Sequence, residues 1–171
     1  MSNNIVLIGM PGSGKTSLSK ALSEYLAMPF IDIDTMIIDL VKMPISEIFL
    51  KQGEAQFREY ESICTIEAIK HKNSIISTGG GIILRKENML SLSQNNSVFF
   101  IDRSVDNIMQ SSNLAERPLV QNDRQKLQNL YNERIAIYKK YAMYTISNNN
   151  SFEATCQSII KLYKEIQENM E

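Results

Sequence analysis

Residues 9–17 read "GMPGSGKTS" and follow directly on the apolar run "IVLI" at residues 5–8. Gly9, Gly14, Lys15 and Thr16 match the pattern G-x-x-x-x-G-K-[ST] in full. The glycines let the backbone curl until successive N–H groups converge on phosphate oxygens. A helix opening at Lys15 adds the positive end of its dipole. Gly12, Ser13, Gly14, Lys15, Thr16 and Ser17 are therefore the expected polyphosphate cradle. Lys15 would reach the β- and γ-phosphates and the Thr16 hydroxyl would ligate magnesium. Motors, switches, transporters and kinases all use such a loop, so other residues must decide among them.

Outward from this loop, short apolar runs alternate with helical patterns. "IVLI" is a buried strand, followed by a helix over 15–26. "FIDID" (30–34) reads as a second strand, and "TMIIDLV" and "ISEIFLK" as helical segments, with a longer helix over 54–70. "SIIST" (74–78) is a third strand, ended by three glycines, and "SVFFI" (97–101) a fourth, entered through Asn95 and Asn96. A helix near 104–110, a polar segment with Pro118, a helix over 123–140, the strand "MYTIS" and a last helix from Phe152 complete the chain. This alternation predicts an α/β three-layer sandwich, a five-stranded parallel sheet with helices on both faces. Ligands in such sheets bind at the carboxyl ends of the strands, so the residues just after each strand are the candidates for a site.

Composition narrows the function classes. The 171 residues are enough for one domain with a full core, and 43% hydrophobic with 22% charged residues describes an ordinary globular chain. A net charge of −1 argues against a nucleic-acid binder that works by broad electrostatics. Cys64 and Cys156 lack metal-ligand spacing and read as buried thiols. No apolar run approaches membrane-spanning length, and "MSNN" lacks the features of a signal peptide, so a cytoplasmic location is expected. His71, the only histidine, reads as a surface residue near a helix end, which disfavours histidine-based chemistry.

Six of the seven glycines fall at two strand ends, Gly9, Gly12 and Gly14 in the phosphate loop and Gly79, Gly80 and Gly81 after strand three. Two ligand contacts are implied, one of them not the nucleotide. Asp32 and Asp34 lie two apart at the end of strand two, so both side chains can leave the same face. They would stand beside the phosphate loop if strand two lies close to strand one. One could hold magnesium through its waters while the other orients an attacking hydroxyl; Asp34 could equally cap the next helix.

Arginine is sparse, six against twelve lysines, so an arginine suggests a site that wants a planar fork for carboxylate or phosphate. "GEAQFREYE" puts Phe57, Arg58 and Glu61 on one side of a helix, although Arg58 could simply pair with Glu54 at i, i+4. Arg117, in the polar "LAERPLV", suits a lid that closes over the γ-phosphate. Arg134, on the helix leaving that segment, could return to the acceptor pocket or form a surface ion pair.

Together "GMPGSGKTS", "DID", "FREYE", "STGGG", "ERPL" and the "ER…Y…YA" run near 133 resemble the shikimate kinase family, small P-loop kinases of the nucleoside-monophosphate-kinase type with a mobile lid. The resemblance covers nearly the whole chain. It implies transfer of the γ-phosphoryl of ATP to the 3-hydroxyl of shikimate, with Mg2+; the fold and the single small domain, for their part, favour a monomer. By motif, Asp34 would hold the acceptor hydroxyls and Arg58 and Arg134 its carboxylate, with Gly79, Gly80 and Gly81 completing the pocket. Phe57 and Glu61 would line or brace that pocket. Thr16 would ligate magnesium directly and Asp32 through water, while Lys15 and Arg117 would stabilise the transferred charge. The acceptor region would span about 32–62 and the lid about 111–122. The chain departs from the family's pattern at Gln110, where members often carry an arginine, and at the loop "SNNNS" after strand five. A P-loop ATPase or switch is the rival outside the kinases, without an N-K-x-D signature to support it. A gluconate kinase is the rival within them.

Overall fold

The computed structural model describes residues 3–110 and 123–169. Five strands, β1 (Ile5–Ile8), β2 (Phe30–Asp32), β3 (Ile75–Ser77), β4 (Ser97–Asp102) and β5 (Tyr144–Ser147), form one sheet in the order β2-β3-β1-β4-β5. All four pairings are parallel, with Val6 opposite Ile76 on one side and Val98 on the other. The helices are α1 (Lys15–Leu26), α2 (Ile33–Val41), α3 (Ile45–Ala68), α4 (Lys86–Ser93), α5 (Val105–Met109), α6 (Arg124–Tyr141) and α7 (Phe152–Glu168).

Strand alternation explains the three layers. Val6, Ile8, Ile76, Val98 and Phe100 point to one face, where they pack with Ile33 and Ile37 of α2, Phe57 of α3 and Leu127 and Tyr138 of α6. Ile5, Leu7, Ile75, Phe99 and Ile101 point to the other, against Leu18 and Leu22 of α1 and Ile159 and Ile160 of α7. Each fully buried side chain of this size contributes about 1.5–3 kcal/mol by leaving water. The central strands therefore read as continuous apolar runs because both faces are covered.

One expectation changes here. Strand two does not run through Asp34; it stops at Asp32, whose carboxylate accepts the Thr35 N–H at 3.0 Å and caps α2. Such a cap stabilises a helix by about 1 kcal/mol, and Ile33 and Ile37, fully buried one turn apart, fix the helical face. β3 lies between strands two and one, yet Asp32 still reaches Thr16 at the end of the phosphate loop. The helical segments around residue 50 form one helix broken at Gly53, whose φ of 82° no regular helix contains. Cys64 and Cys156 are buried free thiols, and His71 is exposed just beyond α3.

Candidate active site

The phosphate loop joins β1 to α1 and is held from three directions. Lys15 is buried, and its ammonium donates to the carbonyls of Gly9 and Met10, each at 2.9 Å, curling back over its own loop. Gly14 caps α1 in the left-handed region (φ 96°). A β-carbon there would stand 2.7 Å from the Asn148 amide nitrogen, so glycine is required for contact as well as for conformation. Asn148 donates to the Ser13 carbonyl at 2.8 Å and accepts from the Thr155 hydroxyl at 3.1 Å, which clamps the loop after β5 onto the phosphate loop.

Thr16, at the start of α1, donates to Asp32 Oδ2 at 3.2 Å and lies 3.4 Å from the Ser77 hydroxyl. One carboxylate and two hydroxyls are hard oxygen donors of the kind Mg2+ takes, with waters and nucleotide phosphates completing its shell. The residues fit that ion, and no cluster of three acidic, histidine or cysteine side chains among the described residues offers a different metal a cage.

Across a cleft from this loop stands a second wall. Gly12, Gly14, Lys15, Thr16 and Ser17 line one side, and Asp34, Thr78, Gly79 and Gly80 the other. Asp34 lies in the first turn of α2 and reaches the glycine run, where a β-carbon on Gly79 would sit 3.0 Å from its Oδ1 and 3.2 Å from Glu61 Oε1. A β-carbon on Gly80 would meet Pro11 at 2.5 Å, and one on Gly81 would collide with the Arg58 guanidinium. None of these three glycines has a positive φ. They are needed for the space a side chain would fill, and what fills that space is the protein's own Asp34, Glu61, Pro11 and Arg58.

Arg58 is buried, donates from Nη1 to Glu61 Oε2 at 2.8 Å, and reaches Glu54 from Nε and Nη2 at 3.3 and 3.0 Å. The helical pair with Glu54 thus exists, but it is one half of a fork whose other half is a fully buried carboxylate. Burial works against the charge on Arg58, yet Glu61 and Glu54 outweigh it and raise its pKa. Burial also pushes the Glu61 carboxyl up, to about 6, although Arg58 pulls it down and nearby Asp34 adds to the rise. Among the described residues Glu61 Oε1 has no hydrogen-bond partner. Phe57 supports the fork from below: its ring packs 4.6 Å from Phe49 and lies 5.1 Å from the Arg58 guanidinium carbon. Arg134 is buried and donates to the Gly80 carbonyl at 3.2 Å, which Tyr138 also reaches at 2.5 Å.

The fold therefore brings Lys15, Thr16, Asp32, Asp34, Arg58, Glu61, Arg134 and Gly79–Gly81 to the carboxyl ends of β1, β2 and β3. Arg117 and the expected lid fall outside the described residues. Sequence reasoning missed Ser77, Thr78, Tyr138, Asn148 and Arg103. Tyr138 follows Arg134 by one turn on α6, and Arg103 directly follows a strand end; both positions were open to inspection by the strand-end and helix-face rules.

Comparison with known proteins names this arrangement. The shikimate kinase family model matches residues 11–164. The shikimate kinase of Clostridium botulinum (strain Alaska E43 / Type E3) is 38% identical over 162 residues, 95% of this chain and 98% of the relative. A solved structure, shikimate kinase from Acinetobacter baumannii in complex with shikimate, superposes with a TM-score of 0.90 at 32% identity, covering 96% of this chain and 94% of that one. A gluconokinase from Sinorhizobium meliloti superposes with a TM-score of 0.63 at 12% identity, a likeness of fold alone. A phosphate loop facing an arginine-carboxylate wall, a family match over most of the chain and a close structural relative agree: the chain belongs to the shikimate kinase family.

Proposed function

We infer that this chain transfers the γ-phosphoryl group of ATP to the 3-hydroxyl of shikimate, giving ADP and shikimate 3-phosphate. The observation that carries this reading is the cleft itself. Its one wall is a phosphate loop; its other combines a carboxylate, Asp34, with Gly79 and Gly80, backed by two buried arginines. A phosphate-binding module or simple ATPase has no use for such a second wall.

In the reaction, Gly12, Ser13, Gly14 and Ser17 hold the phosphates by their N–H groups, and Lys15 exchanges its loop carbonyls for β- and γ-oxygens. Mg2+, when bound with the nucleotide, neutralises charge that builds on the phosphates; Thr16 would ligate it, and Asp32 through water. Arg58 and Arg134 hold the acceptor's carboxylate, with Phe57 and Glu61 fixing the Arg58 fork. The glycine run completes the acceptor pocket by leaving room for Asp34, Glu61 and Arg58 beside it. Asp34 orients the hydroxyl and takes its proton as the oxygen–phosphorus bond forms and the bond to the β-phosphate bridging oxygen breaks. Arg117, in the lid at about 111–122, stabilises the transferred group and excludes water. The acceptor region spans about 32–62 within one kinase domain, 1–171. The same reading has the enzyme acting as a monomer in the cytoplasm on small molecules, without nucleic acid. No helix among the described residues is long and apolar enough to cross a membrane.

ADP release from Mg-ATP, measured with shikimate, with gluconate and with no acceptor, tests the reading. Shikimate alone is expected to raise turnover by at least two orders of magnitude, the scale typical of a positioned base and acceptor. Equal turnover in all three arms would mean an ATPase, and stimulation by gluconate alone would reassign the acceptor.

A further inference from the structure

We propose that Arg103 is a further cation of the nucleotide site, binding the phosphates of ATP and ADP. It follows β4 directly, and β4 pairs with β1, the strand that feeds the phosphate loop. The side chain lines the same cleft as Gly12, Gly14, Lys15 and Thr16. Its Nη1 lies 3.5 Å from the Gly12 carbonyl, at the outer limit of a hydrogen bond, and its Nε is buried with no partner among the described residues. Two nearby acids are otherwise engaged: Asp102 accepts from the Tyr131 hydroxyl at 2.9 Å and Asp106 pairs with Arg124 at 2.9 Å. A guanidinium with unused donors at the rim of a phosphate cradle has the charge and the planar fork that phosphate oxygens select. Lys15 donates to its own loop carbonyls, so Arg103 is the cation here held by one long contact.

The plainer role is a brace on the Gly12 carbonyl, which glutamine could supply as a neutral donor. Titration of MgADP into wild type, Arg103→Gln and Arg103→Lys separates the two, with shikimate affinity and melting temperature followed alongside. Arg103→Gln is expected to bind MgADP about tenfold more weakly, the scale of a lost charge-assisted contact. Arg103→Lys should recover part of the loss, because the charge returns without the fork. Shikimate affinity and melting temperature should stay at wild-type values. MgADP affinity unchanged in Arg103→Gln, or lost equally with shikimate affinity, overturns the proposal. The proposal rests on the reading of the loop as an ATP site, and the wild-type arm checks that alone: no MgADP binding there sinks both, while normal binding there isolates Arg103.

Discussion

Glu61 is fully buried between Arg58 and Asp34, and its carboxyl titrates near 6, against an ordinary value of 4.5. The folded chain therefore holds this proton more tightly than the unfolded chain. The stabilisation that protonation brings is complete below about 4.5 and is lost as the pH rises through 6, up to roughly 2 kcal/mol for a shift of this size. Urea denaturation at pH 5 and pH 7.5, in wild type and Glu61→Gln, isolates it: the variant should lose about 1.2 kcal/mol less stability between the two pH values, the part of the effect that remains at pH 5. Parallel pH dependence in both proteins would show that Glu61 is ionised throughout. Part of this was legible in the sequence, where Phe57, Arg58 and Glu61 fall on one helix face. Burial of the pair was not, because it depends on Gly81 and Gly79 arriving from another element. Asp32 was legible as a site residue but not as a helix cap. In "FIDID" the strand alternation and the capping pattern compete, and the buried Ile33 and Ile37 decide it.

At the scale of elements, the glycine run after β3 and the loop after β5 position the two halves of the site. The sequence shows three glycines at a strand end; only the fold shows that each omits a β-carbon to admit a side chain already present. Gly81→Ala would press a methyl group against the Arg58 guanidinium, and Arg58 must turn away from Glu61 or Glu54. Steady-state kinetics should show the KM for shikimate up by about tenfold, near 1.4 kcal/mol, with the KM for ATP within twofold of wild type. Equal changes in both constants would indicate general distortion rather than a displaced Arg58. The "SNNNS" loop stood out in sequence only as a departure from the family's pattern, yet Asn148 ties the phosphate loop to α7 through Ser13 and Thr155. An asparagine has no signal of its own at that position, since its partner lies 135 residues away.

Across the whole molecule, alternation of strands and helices was enough to predict the parallel sheet and its two covered faces. The strand order was not, because pairing is non-local: β2 docks on β3, and Asp32 still reaches Thr16. That order sets β1 and β3 side by side, so the phosphate loop and the glycine run open on one cleft. The central claim is that this cleft joins a phosphoryl donor to a hydroxyl acceptor. Phosphorus-31 NMR of a reaction with Mg-ATP and shikimate tests it most directly. ADP is expected together with a phosphomonoester whose phosphorus couples to the proton on carbon 3 of the ring. Inorganic phosphate as the only new signal, or an ester at another hydroxyl, would contradict it.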